Sequence, residues 1–329
     1  MPSPHCPRNV LIWHVHGSWT ESFVAGRHHY LIPVNADRDG DGRGLAGRRW
    51  PRAREIPVDG LRDTDVDLVV LQRPHDLELA ARYLGRRPGI DIAAVFVEHN
   101  APRPYAVDSV HPLAGRSDVT LVHVTEFNEM MWDNGAAPTR VIAHGVADRG
   151  SLYTGEIPAA AAMINEPVRR WRTVGADLLA PLSRYAPIDV WGMKTEELNS
   201  RPYTDGNGTD RVAGHGDVSG AAVLDEVARR RVYLHTARWT SLGLSLLEAM
   251  GAGMPVVAVA STMAPLAVPP EAGVVSADRV VLGEALARFL ADPAAAEVAG
   301  KAAREHALTH YGLDRFLADW DRLIEEVCA

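Results

Sequence analysis

The chain is predicted to be α/β, folding as two Rossmann-like domains on parallel sheets. Three observations predict it. A length of 329 residues suits two domains, each with enough interior to fold without covalent staples. Short apolar, β-branched runs alternate with helical patterns, the sign of βαβ units. That alternation runs through two successive series of strands, although no sequence-level repeat relates them.

In the first series NVLIWHV (9–15), HYLIPV (29–34), VDLVVLQ (66–72), DIAAVFVEH (91–99) and DVTLVHVT (118–125) read as strands. EFNEMMWDNGA follows the last as a helix, and TRVIAHGV (139–146) closes the domain. The second series begins after ADRGSLYTGEIPAA. Its strands are AAAMIN (160–165), IDVWGM (188–193), RVAGHG (211–216), RVYLHT (231–236), MPVVAV (254–259) and GVVSA (273–277). Residues 279–327 are rich in Ala, Leu, Arg and Glu, with apolar residues at three- and four-residue steps, and read as terminal helices.

Composition narrows the function classes. Hydrophobic residues make up 47%, charged residues 23%, and the formal net charge is −8, a balance that suits a soluble globular protein and argues against a dedicated nucleic-acid binder. The two cysteines, Cys6 and Cys328, lie near opposite termini, so neither a disulfide framework nor a cysteine metal site is encoded, and a reducing cytoplasm is expected. MPSPHCPRN lacks the layout of a secretory signal, and no apolar run approaches the ~20 residues that span a bilayer; any membrane contact would be peripheral.

Open α/β sheets bind ligands outside the carboxyl ends of their strands, which in two such halves would face each other across a cleft. In the second half that region holds ARWTSLGLSLLEAMGAGMPVVAV. Gly243 lets backbone N–H groups at a helix start face a phosphate. Glu248, one turn inside, reads either as a carboxylate accepting two ribose hydroxyls or as a surface glutamate that adds helix propensity.

WTSLGLSLLEAMGAGMPVVAVAS resembles the donor-site signature of the GT-B glycosyltransferases of the retaining family 4 type. That resemblance implies that Glu248 binds the nucleotide ribose and that Ser241, Gly243 and Leu244 belong to the loop touching the diphosphate. Thr240 stands where the family has its first glutamate, which holds a donor-sugar hydroxyl. RVAGHGDV resembles the base-binding turn and implies backbone contacts from Gly214 to Asp217. DVTLVHVTEFNEMMWDNGAAPTRVIAHGVAD resembles the end of the family's N-domain. The domains implied are 1–151 for the acceptor, 152–308 for the nucleotide-sugar donor, and 309–329 as a helix returning to the N-domain.

The family neutralises the diphosphate with an arginine and a lysine from the first turn of the C-domain. Here MINEPVRRWRTVGADLL offers Arg169, Arg170 and Arg172 and no lysine. Arginine's planar fork suits phosphate oxygens. Arg172 and Arg169 are the choices, and sequence leaves open which of them acts. His99, at a strand end in FVEHNAPR, corresponds to a family histidine that contacts the donor sugar, and HGSW, with Gly17, Ser18 and Trp19, resembles the acceptor loop, where Trp19 would stack on a sugar.

DRDGDGRGLAGR (37–48) imitates a calcium loop, but Arg48 replaces the bidentate glutamate at its twelfth position and no helices flank it, so it reads as a mobile polar loop over the acceptor side. GRGLAG does not follow a strand and open a helix, so it is no dinucleotide fingerprint. The expectation is a metal-independent, retaining transferase using a nucleotide-diphosphate sugar as co-substrate, with no other cofactor, and a glycan, lipid or small molecule as acceptor. A sugar-nucleotide epimerase of the same fold and a non-catalytic nucleotide-sugar-binding subunit are the alternatives.

Overall fold

The computed structural model describes residues 6–200, 211–218 and 220–329. The chain divides into two compact units, residues 1–145 with 313–329, and residues 146–312.

The first unit is a seven-stranded sheet in which every pairing is parallel. Its strands are β1 (Asn9–Ile12), β2 (His29–Val34), β3 (Ala53–Pro57), β4 (Leu68–Leu71), β5 (Ala93–Glu98), β6 (Thr120–His123) and β7 (Thr139–Val141). Their order is β3-β2-β1-β4-β5-β6-β7. The chain winds outward from β1 on both sides, so the order reverses between β1 and β4, and the strand ends there open a crevice. Val10, Leu11, Ile12, Leu68, Val69, Val70 and Leu71 are all wholly buried, because helices cover both faces of a parallel sheet.

Strand β3 is an addition to the sequence reading. Its residues AREIP carry one buried apolar side chain, Ile56, and end in proline, so the run lacks the apolar signal of the central strands. Such a strand is stable only at a sheet edge, where β3 lies.

The terminal helix Leu313–Val327 belongs to this unit and buries Phe316, Trp320, Leu323 and Ile324, spaced four, three and one residues apart along one face. Trp320 meets Phe23 edge-on at 4.8 Å and Trp19 at 5.8 Å. Burying such a side chain contributes about 1.5–3 kcal/mol. Gly145 makes the close approach possible: a β-carbon there would stand 2.4 Å from that of Phe316.

The second unit has a six-stranded sheet of parallel pairs, β8 (Ile157–Met163), β9 (Ile188–Trp191), β10 (Val212–Gly214), β11 (Arg230–His235), β12 (Val256–Val259) and β13 (Gly273–Ser276). Its order, β10-β9-β8-β11-β12-β13, repeats the first sheet's winding and places a switch point between β8 and β11. The helices Arg279–Ala291 and Pro293–Tyr311 complete its core, capped by the side chains of Asp278 and Asp292. Among the described residues, no helix is long and apolar enough to cross a membrane.

Candidate functional site

In the second unit the site residues gather after β11. The segment 236–243 runs from His235 to the helix Leu244–Gly251, and it is fastened to the turn that follows β8. The Thr236 hydroxyl donates to the Val174 carbonyl at 2.7 Å, and the amides of Arg238 and Trp239 donate to that of Thr173 at 2.9 and 3.2 Å. Gly175 allows this approach, since a β-carbon there would lie 1.9 Å from the Thr236 carbonyl oxygen and its φ is +71°.

Gly243 is the residue before the helix, and no side chain caps it. The first-turn amides of a helix lack intrahelical acceptors and carry the positive end of its dipole, so this start can receive an anion. Beneath it lies the buried His235, whose Cε1 would be 3.0 Å from a β-carbon on Gly243. Burial lowers that imidazole to about 4, so it is neutral at pH 7 and does not compete for an anion. Leu244 opens the helix, with Thr240 half-buried and Ser241 buried just before it. Glu248 is half-buried one turn inside; burial pushes the phenol of Tyr233 up, and the nearby Glu248 carboxylate adds to the effect.

The predicted arginines are both ion-paired and exposed. Arg169 pairs with Glu166, which also meets the Lys194 ammonium at 3.7 Å. Arg172 pairs with Asp177 at 3.0 Å. A cation that sequence reasoning missed, Arg238, forks onto the same Asp177 and also donates to the Arg172 carbonyl at 3.1 Å. Burial works to raise the Asp177 carboxyl, but the Arg238 hydrogen bonds and the charges of Arg238 and Arg172 outweigh it and hold the carboxyl below its ordinary value. Of the two predicted arginines, Arg172 is the one tied to the segment that carries Gly243. Arg238 and Lys194 each stand three residues past a strand's carboxyl end, which was the signal available in the sequence for both.

The turn after β10 uses part of its backbone internally. Both backbone groups of Gly214 are taken by Asn199, whose amide donates to the carbonyl and accepts from the N–H, each at 2.8 Å. The Gly214 N–H is therefore already used, while its carbonyl keeps a second lone pair. The Gly216 amide donates to Thr195 and the His215 amide to Val190, while Asp217 is exposed. His215 stacks on Trp191 at 4.6 Å and bonds Asp189 at 2.9 Å.

In the first unit the carboxyl ends of β1, β4 and β5 bring together His16, Gln72 and His99. His99 Nε2 lies 3.0 Å from Gln72 Oε1, and its ring packs on that of His16 at 4.1 Å. Burial, then the charges of His16 and His144, lower His99 well below the ordinary histidine value. Burial likewise takes His16 to about 4. Both rings are neutral at pH 7, and His99 acts as a hydrogen-bonding group rather than a cation. His16 and Gln72 were absent from the sequence reading; polar residues at two further strand ends were the available signal.

Trp19 does not stack on a sugar. It is 1% exposed, on the inner face of the helix Gly17–Val24, stacked on Phe23 at 5.1 Å and edge-on to His99 at 5.0 Å. A helix of that register turns Trp19 and Phe23 inward together. Ser18 is exposed beside it, and Gly17 faces Arg48, whose Nη2 would be 2.9 Å from a β-carbon there.

The segment 37–48 is pinned rather than loose. Trp13 Nε1 donates to the Asp41 carbonyl at 3.0 Å, His14 Nδ1 meets the Gly44 carbonyl at 3.0 Å, and Arg73 donates to the Gly40 carbonyl at 2.9 Å. Asp41 pairs with Arg73 at 3.3 Å and His75 at 3.1 Å. Among the described residues, no three His, Cys, Asp or Glu side chains converge as a metal site would require.

Residues 169–321 match the model of the family described as glycosyl transferase-like. The matched segment covers most of the second unit, including Arg169, Arg172, Gly243 and Glu248, and is of glycosyltransferase type. Solved structures match over the whole chain. Sucrose-phosphate synthase from Thermosynechococcus elongatus is 17% identical, over 97% of this chain and 98% of that one, with a TM-score of 0.70. HepE of Anabaena, solved with UDP, is 16% identical over 97% and 100%, with a TM-score of 0.73. AviGT4, a glycosyltransferase of avilamycin A biosynthesis, is 15% identical over 98% of each chain, with a TM-score of 0.63. No curated protein matches the sequence significantly. The fold is GT-B.

Proposed function

We propose that the chain is a retaining glycosyltransferase that moves a sugar from a nucleotide-diphosphate sugar to an acceptor hydroxyl without a metal ion. The observation that carries this reading is the turn after β11, within the glycosyl transferase-like match, where an uncapped helix start at Gly243 precedes Glu248 by five residues. Phosphate oxygens at the Leu244 and Ser245 amides would meet the helix dipole, and Arg172 would add charge as the β-phosphate leaves. Glu248 would accept the ribose hydroxyls. Gly17, Ser18 and His99 belong to the acceptor and reacting-sugar side, and His99, being neutral, would hydrogen-bond a sugar hydroxyl. By resemblance to family 4, the acceptor attacks the face the diphosphate leaves, and the departing phosphate takes the proton.

HepE has been solved with UDP-glucose, which makes that compound the first probe. The test is UDP release from UDP-glucose and other nucleotide sugars, with and without an acceptor extract, in excess EDTA, followed by NMR of the product's anomeric linkage. Transfer in EDTA with the donor's configuration kept is the expected result. An inverted linkage overturns the retaining assignment, rescue only by magnesium or manganese overturns the metal-free one, and an epimerised sugar or binding without turnover overturns the transferase reading.

A further inference from the structure

We propose that Gln72 is a positioning residue that holds His99 as the Nε2–H tautomer, so that His99 meets its substrate through the Nδ1 lone pair, as a hydrogen-bond acceptor. The proposal rests on the glycosyltransferase reading for what His99 meets; the tautomer itself rests on the first unit alone.

The argument is a chain of donors and acceptors anchored on a group that has no choice. The Trp13 carbonyl at the end of β1 can only accept, and Gln72 Nε2 donates to it at 2.8 Å. That contact orients the Gln72 amide, so its Oε1 must face the other way, where His99 Nε2 stands at 3.0 Å. A carbonyl-type oxygen only accepts, so His99 Nε2 carries the hydrogen. Turning the amide over would set oxygen against oxygen at Trp13, losing that buried hydrogen bond at about 1 kcal/mol or more, and only in that orientation could the amide donate to a bare His99 Nε2.

Gln72 is itself immobile. It is 5% exposed, follows β4 directly, and its backbone amide donates to Asp76 Oδ2 at 2.9 Å. Asp76 is wholly buried and also accepts from the Arg73 amide at 2.9 Å and Arg73 Nε at 2.8 Å. The side chain thus spans the switch point from the end of β1 to the end of β5. His16 and Trp19 pack on the His99 ring and fix its plane, but neither makes a hydrogen bond to Nε2. Among the described residues, the amide of Gln72 is the partner that specifies which nitrogen holds the proton.

The test is long-range ¹H–¹⁵N correlation NMR of the full chain with ¹⁵N-labelled histidine at pH 7, the His99 signals being assigned by their loss in His99→Gln. The expected result is a neutral His99 with hydrogen on Nε2, whose slowly exchanging proton speeds up at least 10-fold in Gln72→Leu. In Gln72→Glu a carboxylate faces the ring, and His99 should become protonated at a higher pH than in the wild type. Hydrogen on Nδ1 in the wild type overturns the proposal, and that measurement needs no variant to fold. An unchanged exchange rate in a folded Gln72→Leu overturns it as well. With UDP-glucose, Gln72→Leu should lose turnover about 10-fold at unchanged UDP affinity. If no nucleotide sugar of the panel binds or turns over in the wild type while the tautomer is as stated, the transferase reading fails and the role of Gln72 stands.

Discussion

The guanidinium of Arg238 forks onto the carboxylate of Asp177, with its two nitrogens at 2.5 and 2.9 Å from the two oxygens. The pair joins the segment after β11 to the turn after β8, the two segments on either side of the second sheet's switch point. Its partners are 28% and 17% exposed, so it lies between an exposed ion pair, at about 1 kcal/mol, and a buried one, at about 3 or more when broken.

Asp177→Asn should therefore cost roughly 1–2 kcal/mol of stability and weaken UDP binding several-fold, because both Arg172 and Arg238 lose their counter-ion and the Gly243 segment loses a tether. Melting curves with calorimetric UDP titration test this. UDP affinity equal to wild type would show that the fork does not shape the donor site.

Glu248→Gln keeps size and helix propensity but replaces a charged acceptor with a neutral one. Hydrogen bonds to a charged group contribute roughly 1.5–3 kcal/mol, so UDP affinity should fall about 10- to 150-fold at unchanged melting temperature. Equal affinities at equal stability would sink the ribose assignment.

Gly243→Ala introduces a β-carbon 3.0 Å from His235 Cε1 at an ordinary backbone φ of −68°. The penalty is a displaced helix start rather than backbone strain. Expected are a melting temperature within a few degrees of wild type and UDP affinity reduced at least 10-fold; unchanged affinity would place the phosphates elsewhere.

Acid should destabilise the chain before its carboxylates titrate. Burial lowers His235 and His16 to about 4, below the unfolded value of 6.5, and lowers His99 as well. Between pH 6.5 and 4 the unfolded state therefore binds more protons than the folded one. Stability is full above pH 6.5 and is lost as pH falls toward 4, by up to about 1.4 kcal/mol per unit for each such histidine. Urea unfolding at pH 7.0, 6.0 and 5.0 checks the slope, and His235→Asn should flatten it; a slope unchanged by the substitution would contradict a neutral buried His235.

How much of this was legible follows from the range over which each signal acts. Strands such as β1, β4, β5, β6, β11 and β12 announce themselves as apolar runs rich in β-branched residues because parallel strands are buried on both faces, a property each residue carries by itself. Strand β3 and the three-residue β10 are held by their neighbours; β10 was read through its flanking glycines, and β3, with a single buried apolar side chain, was not read at all. The turn at Gly243 and Glu248 was legible because six consecutive positions fix both the helix start and the carboxylate one turn inside it.

The sequence by itself determined the two α/β halves, most of the strands that carry them and the location of the turn before the helix at Leu244, all of which depend on contiguous residues. Only the tertiary structure decided the side-chain partners. Trp19 reads as an exposed aromatic in HGSW, yet the terminal helix, some 300 residues away, covers it with Trp320. Gly214 reads as a free turn glycine until Asn199 takes both its backbone groups. His99 reads as a lone histidine, whereas Gln72, oriented from β1 by a carbonyl that can only accept, assigns its proton. Hydrogen bonds and ring contacts act over about 3–6 Å in space and are blind to distance along the chain, which is why folding had to bring these partners together before their roles could be read.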